Sequence, residues 1–305
     1  MTKITSILLV ANPYAGRFRK ATLNQVSAFY RTKGIYVKEI LDLSVFPASN
    51  IFRKRWDAAL VMGGDGTVNR LVNTFSPGAV PIGIIPTGTG NVFARELGIP
   101  LKDPLKAASV VMRNHRRAVD LGYIDGRYFL LMTGVGFDGE VASILKWKQK
   151  RAFGIWAYVL AAIKTFLKFK PTTVRVETEV GTWHGVGVLL CNTQRYGGPF
   201  CFIREARIDD GYLDVIIFKK MDMINILRYL LMATGFSMGK LRKNYSCFRA
   251  SRINVYSDPA VGVQMDGDYF GSTPISVSVL PRCQEFFSPG QQSRYLCIPN
   301  SCALL

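Results

Sequence analysis

The stretch Ala58-Ala59-Leu60-Val61-Met62-Gly63-Gly64-Asp65-Gly66-Thr67-Val68-Asn69 decides the fold of this chain, because an apolar run leads directly into a glycine-rich loop. A second apolar run, Val80–Ile85, leads into a second loop, Pro86-Thr87-Gly88-Thr89-Gly90-Asn91. Each run predicts a buried strand, and residues 68–74 and 91–97 predict helices after the loops. Such turns aim backbone N–H groups and a helix N-terminus at an anion, although glycine also serves turn geometry alone. Two of these loops, one with an acid, indicate a nucleotide polyphosphate site with a metal ion.

The chain length and hydropathy are those of a globular protein with two cores. The chain has 305 residues, of which 49% are hydrophobic, and no apolar run reaches the roughly 18 residues that span a bilayer. The opening run Ile4–Ala11 is similar to a short signal-peptide core, but only Lys3 supplies a basic residue before it and Asn12-Pro13-Tyr14-Ala15-Gly16 follows at once. We therefore expect a first parallel strand and a cytoplasmic protein.

Cysteine and histidine usage argues against several classes of site. The six cysteines include no Cys-x-x-Cys pair, so disulfides and a zinc site are not expected. The chain has two histidines, His115 and His184. These residues leave little material for a histidine metal site or for Ser-His-Asp catalysis.

The net charge of +18 predicts an anionic partner, either nucleic acid or an anionic membrane surface. Segment 143–170 carries Lys and Arg residues and no acid, interleaved with aromatic and aliphatic side chains. Segment 219–243 is also basic and contains one acid, Asp222. Basic amphipathic helices are typical of adsorption to anionic lipid, which favours a membrane, and no nucleic acid partner is expected. The alternative is a pair of ordinary amphipathic helices that pack on a core and expose their lysines.

The order of predicted elements changes near residue 120. Before it, short strands alternate with helical stretches, and after it strands dominate. We therefore expect an α/β nucleotide-binding domain over residues 1–120 and a β-rich lipid-substrate domain over residues 121–281. The predicted strands are 6–11, 35–41, 58–62, 82–85, 127–133, 173–180, 182–192, 213–219, 252–256 and 275–280.

Six motifs resemble those of the bacterial diacylglycerol kinase-like and sphingosine kinase-like lipid kinases, nearly from end to end. They are Asn12 to Gly16, Gly63 to Asn69, Pro86 to Asn91, Met132 to Gly139, Asp209 to Asp214, and Asp266-Gly267-Asp268. The resemblance implies an N-terminal phosphofructokinase-like α/β domain and a C-terminal β-rich sandwich domain, with ATP in the cleft between. It also implies that a C-terminal tail, about residues 282–305, returns to the first domain.

The resemblance also implies roles for single residues. ATP would be the co-substrate, bound by residues of the early loops and one late acid: Asn12, Pro13, Gly16, Gly63, Gly64, Asp65, Gly66, Thr67, Asn69, Thr89, Asn91 and Asp268. Asp266 would be the general base that deprotonates the lipid hydroxyl. The alternative for Asp266 is a plain type I′ hairpin, since Asp-Gly between strands is a strong turn signal.

Two carboxylates are candidate ligands of Mg²⁺. Asp65 would repel a phosphate unless it binds Mg²⁺ directly or through water; the alternative is an Asx-type turn residue. The resemblance implies a structural Mg²⁺ held by the Asp210 side chain and the carbonyls of Arg207 and Tyr212, and a simple turn is again the alternative. Asp138 would either line the cleft or cap a helix.

One position departs from the family pattern. Many members carry an acid after the Asn of the second loop, whereas Asn91 is followed here by Val92. If that acid joins a water-mediated metal network, this chain lacks one member of it. The other carboxylates would then compensate, or turnover would be slower.

The leading hypothesis is an ATP-dependent lipid kinase, peripheral on the inner membrane leaflet, that phosphorylates a diacylglycerol-like or related lipid alcohol. One alternative is a soluble-substrate kinase such as NAD kinase, which shares the Gly-Gly-Asp-Gly loop but also has an Asn-acid pair that this chain lacks. The other is a non-catalytic basic protein that binds membranes or nucleic acid. The sequence leaves open the lipid, the oligomeric state (a homodimer included), and whether Cys302-Ala303-Leu304-Leu305 is a prenylation signal or a chance match.

Overall fold

The computed structural model describes residues 3–41, 55–75, 77–145, 155–167, 169–197, 200–201, 203–222, 225 and 244–290. These residues form two compact units. Unit one comprises the described residues up to Val119 together with those from Arg282 onward, and unit two comprises those from Asp120 to Pro281. Unit one is therefore assembled from two separate parts of the sequence.

Unit one contains a parallel sheet with helices in its connections. Its elements are β1 (Ser6–Ala11), α1 (Lys20–Arg31), β2 (Tyr36–Ile40), β3 (Ala58–Gly63), α2 (Asp65–Val72), β4 (Ile82–Pro86), α3 (Val92–Glu96) and α4 (Pro104–Met112). The strands pair in parallel in the order β2-β1-β3-β4. Every residue of β3 is buried, because a parallel strand covered on both faces needs a continuous apolar run.

Unit two is mainly β-structure. Its elements are β5 (Arg116–Ile124), which begins in unit one, β6 (Arg127–Phe129), β7 (Met132–Gly136), α5 (Phe137–Ile144), α6 (Ile155–Phe166), β8 (Val174–Thr178), β9 (Gly181–Gly185), β10 (Gly187–Cys191), β11 (Arg195–Gly197), β12 (Phe200–Cys201), β13 (Leu213–Phe218), β14 (Tyr245–Ala250), β15 (Arg252–Ser257), β16 (Gly262–Met265), β17 (Asp268–Ser272) and β18 (Ile275–Phe287), which ends in unit one. One antiparallel sheet has the order β14-β13-β10-β7-β16-β17, and a second has the order β18-β15-β8-β9. Apolar side chains from both sheets share one buried core, as in a β-sandwich.

Seven of the ten predicted strands are confirmed within a residue or two. The strand predicted over 275–280 begins correctly but continues to Phe287 as β18, and two other predictions are wrong. The strand predicted over 127–133 is two strands, β6 and β7, because the N–H groups of Leu130 and Leu131 donate to a carboxylate and not to a ladder. The strand predicted over 182–192 is also two, β9 and β10, which lie in different sheets. The chain changes sheets at Val186, whose N–H donates to the carbonyl of Phe218 at 2.7 Å.

Helix α6 lies within the basic segment predicted to bind a membrane. Leu160 and Ile163 are each 55% exposed, and Leu167, just after the helix, is 76% exposed; Lys164 is exposed between them. Residues 146–154 and 168 of this segment, most of segment 219–243, and the C-terminal Cys302–Leu305 lie outside the described residues. Within the described ranges, no helix combines the length and apolar character that crossing a membrane requires.

Candidate active site

The first candidate site is formed at the carboxyl ends of three neighbouring parallel strands, the edge where α/β sheets bind ligands. Asn12 follows β1, the first glycine-rich loop follows β3, and the second follows β4. The Asn12 side-chain amide donates to the Thr67 hydroxyl at 3.1 Å, and the Thr87 N–H donates to the carbonyl of Gly63 at 2.9 Å. The three segments predicted to bind the nucleotide therefore contact one another directly.

The two loops meet backbone to backbone at a pair of glycines. A Cβ added to Gly88 would lie 2.5 Å from the Cα of Gly64, whereas a Cβ added to Gly66 would meet nothing within 4 Å. Gly64 and Gly88 are thus required by the packing of the loops themselves. Gly66, in the first turn of α2, is not explained by packing and leaves open space beside backbone N–H groups.

Asp65 joins the first loop to the helix that follows the second. Its Oδ1 accepts the N–H of Phe93 at 2.9 Å, and its Oδ2 accepts the N–H of Val92 at 3.0 Å, so the carboxylate caps α3. Burial raises the pKa of the Asp65 carboxyl, and these backbone hydrogen bonds act in the opposite direction. The structure thus gives Asp65 a supporting role at the second loop, and its role as a metal ligand stays a prediction.

The remaining predicted nucleotide residues differ in exposure. Asn91 is buried, has a left-handed backbone (φ 48°), and closes its own loop by donating to the carbonyl of Gly88 at 2.7 Å and accepting the N–H of Gly88 at 3.1 Å. Pro13, Gly16 and Thr89 are exposed. A Cβ on Gly16 would lie 3.3 Å from the Thr89 hydroxyl, so the first and third predicted segments are also adjacent.

The second candidate site is the turn at Asp266 in unit two. Asp266 and Gly267 join β16 to β17 with positive φ values of 48° and 86°, as in the predicted two-residue type I′ hairpin. Asp266 nevertheless does more than form the turn, because its carboxylate also bonds a neighbouring segment. It accepts three consecutive backbone N–H groups, those of Leu130 at 2.9 Å, Leu131 at 2.8 Å and Met132 at 3.1 Å.

Asp138 takes part in a partly buried hydrogen-bond network beside this turn. Its Oδ1 accepts the Tyr196 hydroxyl proton, and its Oδ2 accepts a hydrogen bond from Gln264 Nε2 at 2.7 Å. Gln264 Oε1 in turn accepts the N–H of Gly267 at 2.7 Å. Neither sequence alternative for Asp138 included a hydrogen bond to Gln264. Sequence reasoning also missed Gln264, whose only signal was its position as a polar residue within the apolar run before Asp266.

The acidic turn at Asp210 is the predicted metal site of unit two. Asp210 Oδ1 accepts the N–H of Tyr212 at 3.2 Å, which supports the turn alternative. Its Oδ2 is buried without a hydrogen bond and lies 3.6 Å from Nη1 of Arg249, which also bonds Asp214 at 3.2 Å. Oδ2 thus already faces a cation, the Arg249 guanidinium, and the magnesium site stays a prediction. Arg207 is exposed and pairs with Asp209 at 3.5 Å. No group of three or more His, Cys, Asp or Glu side chains forms a metal cluster in the part of the chain that the structure describes, but two of the three predicted ligands here are carbonyls.

Sequence reasoning also missed Asp120. This residue is fully buried in β5 and its Oδ2 accepts the N–H of Gly211 at 2.6 Å. It therefore supports the turn that presents Asp210. Its signal in the sequence was an acid between the apolar residues Val119 and Leu121.

Comparisons with known proteins match both units. Residues 6–124 match the diacylglycerol kinase catalytic domain, and residues 132–287 match the YegS C-terminal NAD kinase beta sandwich-like domain. A diacylglycerol kinase of Bacillus subtilis (strain 168) is 30% identical over 277 residues, which cover 87% of this chain and 90% of that protein. A diacylglycerol kinase of Staphylococcus epidermidis is 28% identical over 293 residues, which cover 92% and 91%.

A solved structure shows the same fold. The crystal structure of a diacylglycerol kinase from Bacillus anthracis str. Sterne aligns with a TM-score of 0.73 at 22% identity, over 94% of this chain and 98% of that chain. These findings confirm the resemblance and the two-domain fold class predicted from the sequence. The chain therefore belongs to the diacylglycerol kinase family, with an α/β catalytic domain followed by a C-terminal β-sandwich domain.

Proposed function

We propose that this protein transfers the γ-phosphate of ATP to the hydroxyl of a diacylglycerol-like lipid, with Asp266 as general base and with Mg²⁺. The observation that carries the proposal is the Asp266 carboxylate, which three backbone N–H groups hold in one orientation. Membership of the family supports the reaction class. The named relatives are diacylglycerol kinases, and that substrate is proposed here for this chain.

The base has a defined task in the reaction. The lipid hydroxyl oxygen attacks the γ-phosphorus, the bond from the γ-phosphorus to the bridging oxygen breaks, and ADP leaves. Asp266 takes the hydroxyl proton during this step. A carboxylate with a fixed orientation serves this purpose because it presents an acceptor without first having to be ordered.

We propose that the loops of unit one bind the phosphates of ATP. The Gly66 N–H at the start of α2, beside open space, is the proposed donor for a phosphate oxygen. The N–H groups of Thr67 and Val68 already donate to the carbonyl of Gly64. Asn12 and Thr67, which bond each other at 3.1 Å, add polar side chains at the same strand ends. Asp268, which is exposed at the start of β17, is the proposed acidic contact of the nucleotide from the second unit.

Two places in the chain suit Mg²⁺, which neutralises phosphate charge when bound near ATP. Asp65 already accepts two N–H groups, so we propose that it contacts the ion through water. Asp210, with the carbonyls of Arg207 and Tyr212, is the proposed holder of a structural ion, which would compete with Arg249 for the Oδ2 atom.

We further propose that the protein adsorbs to the anionic inner leaflet from the cytoplasm. The net charge of +18 and the exposed apolar side chains on and just after α6, beside Lys164, support this. Apolar insertion and attraction of basic residues to anionic lipid act together in such helices.

The test is Mg²⁺-dependent transfer of labelled γ-phosphate from ATP into mixed lipid micelles by wild type and by Asp266→Asn. Loss of a general base predicts a fall of at least roughly a hundredfold. Asp125→Asn is the matched control, because Asp125 and Gly126 form another exposed Asp-Gly turn with φ values of 43° and 84°; its activity should equal that of wild type.

Each other outcome has a distinct meaning. Equal activity of wild type and Asp266→Asn contradicts the base assignment. Transfer to a soluble acceptor such as NAD, with no transfer to any lipid alcohol, favours the soluble-substrate kinase. A protein that binds neither ATP nor Mg²⁺ favours the non-catalytic alternative, and salt-sensitive binding to liposomes or to DNA then identifies its partner.

A further inference from the structure

Asp138 is a partly buried acid that accepts hydrogen bonds from two neutral side chains. It lies in the first turn of α5, and it bonds the Tyr196 hydroxyl and Gln264 Nε2. Burial raises the pKa of its carboxyl, and the two hydrogen bonds act against that rise. An acid that costs stability in this way calls for a task outside core packing.

The backbone is shaped to admit this carboxylate. A Cβ placed on Gly134 would lie 2.0 Å from Asp138 Oδ2, so only glycine lets the side chain rest against β7. Gly134 also pairs with Gln264 across β7 and β16. The carboxylate is thereby placed against the residue that leads into the Asp266 turn.

The hydrogen bonds fix the orientation of the Gln264 amide. An amide has one donor end and one acceptor end, and a carboxylate can only accept. Asp138 therefore selects the Nε2 end of Gln264, which leaves Oε1 to accept the Gly267 N–H at 2.7 Å. With the amide reversed, its NH₂ group would face that N–H, and the turn would lose the bond.

We infer that Asp138 is a positioning residue for the reaction: through Gln264 it holds the Asp266-Gly267 turn in the conformation that presents the Asp266 carboxylate. The inference rests on the proposed function of Asp266. The turn needs such support because Asp266 has a left-handed backbone with φ 48°, a conformation that is unfavourable for residues other than glycine. The N–H groups of residues 130–132 hold the Asp266 carboxylate. Gln264 holds the backbone of the turn through the Gly267 N–H.

A charge swap tests this inference. In Asp138→Leu, the side chain keeps a similar shape, but Gln264 loses the acceptor that selects the orientation of its amide. In Gln264→Glu, two carboxylates face each other. In the double variant Asp138→Asn/Gln264→Glu, the Asn donates to the Glu and the Glu still accepts the Gly267 N–H, at the same total charge.

The expected kinetics separate positioning from general damage. Each single variant should lower kcat for lipid phosphorylation roughly ten- to a hundredfold, with KM for ATP nearly unchanged, since displacement of a catalytic group acts mainly on the transition state. The double variant should recover most of the loss. Glu140→Gln is the matched control on α5, because Glu140 accepts the Gly262 N–H at 2.9 Å and a Gln oxygen replaces it.

A readout independent of activity is hydrogen exchange of the Gly267 amide. Labelling Asp carbonyl carbons and Gly nitrogens selects the Asp-Gly pairs, which are Asp65-Gly66, Asp125-Gly126, Asp138-Gly139, Asp210-Gly211 and Asp266-Gly267. The Gly267 amide should exchange faster in Asp138→Leu and keep nearly its wild-type rate in the double variant, while the Gly126 amide stays constant. The double variant keeps the test valid even where a single variant folds poorly.

The inference is overturned if folded Asp138→Leu keeps the wild-type kcat and Gly267 exchange rate, or if the double variant is no better than the single variants. Failure of the proposed function has a different signature. Wild type would then transfer no phosphate to lipid, and the exchange rates alone would decide whether Asp138 positions the turn.

Discussion

Asp65 and Val92 are joined by a hydrogen bond of 3.0 Å, from the backbone N–H of Val92 to Oδ2 of Asp65. The two positions lie on different loops, and the sequence identifies both as relevant to metal binding. Val92 is buried, so a packed apolar side chain occupies the position at which the family resemblance predicts an acid. Asp65 is thus the acid that remains at this junction, and it also supports α3.

We expect Asp65→Asn to lower the free energy of unfolding by about 1–3 kcal/mol, because both carboxylate oxygens accept an N–H and an Asn can replace only one of them. Urea unfolding measures the change. Asp103→Asn at the start of α4 is the control. There a single oxygen, Oδ1, accepts both N–H groups, and Asn caps helices as well as Asp does. Equal losses in the two variants would argue against the two-oxygen explanation.

Two glycine substitutions should separate packing from ligand binding. Gly88→Ala places a Cβ 2.5 Å from the Cα of Gly64, and we expect it to destabilise the protein by about 1–3 kcal/mol. Gly66→Ala meets open space and should leave stability within about 1 kcal/mol, while raising KM for ATP about tenfold. Thermal melting and ATP titration measure both effects. A Gly66→Ala protein with unchanged ATP affinity would show that phosphate does not approach this residue.

The Asp210 turn should bind Mg²⁺ in the absence of nucleotide. A ligand that binds only the folded state at 100 times its Kd adds about 2.7 kcal/mol of stability, so saturating Mg²⁺ should raise the Tm of wild type. The rise should be absent in Asp210→Asn, which weakens the cation ligand, and retained in Asp209→Asn. Identical Mg²⁺ responses in all three proteins would place the ion elsewhere.

Asp214 should make stability depend on pH. Burial raises the pKa of its carboxyl to about 6, against the favourable effect of Arg249. A carboxyl with a raised pKa binds its proton more tightly in the folded state than in the unfolded state. The stability gained from this proton is present at low pH and is lost as the pH rises from about 4 to about 6. Relative to wild type, Asp214→Asn should therefore gain stability over this interval, by at most about 3 kcal/mol. Urea titrations at pH 4.5 and 7 in EDTA measure the difference, and no relative gain would contradict the raised pKa.

The apolar residues near the end of α6 should contribute to membrane adsorption. Ile163 and Leu167 are 55% and 76% exposed, and moving such side chains into lipid gains roughly 1.5–3 kcal/mol each when burial is complete. We expect Ile163→Ser/Leu167→Ser to weaken binding to vesicles of anionic lipid at least tenfold in a sedimentation assay. Val180→Ser is the control, because Val180 is 60% exposed in a turn between strands. Unchanged binding of the double variant would move the membrane contact away from α6.

The sequence predicts unit one well because its strands are buried on both faces and appear as apolar runs. It predicts β5 poorly, since that strand begins with Arg116 and Arg117 and contains the buried Asp120. The acidic residues of the sites can be identified in the sequence from the glycines beside them. Their hydrogen-bond partners cannot, because Leu130 and Asp266 lie 136 residues apart in the chain and only the folded sheet brings them together.

Where Gly64 meets Gly88, no side chain separates the backbones of the two loops. The loops therefore move as one body, and the donors that they present are arranged during folding and before any nucleotide arrives. A preorganised receptor loses little conformational entropy on binding. Nucleotide affinity in this protein should accordingly follow the stability of the loop pair, so that substitutions which loosen the pair weaken binding without removing a single contact to the ligand.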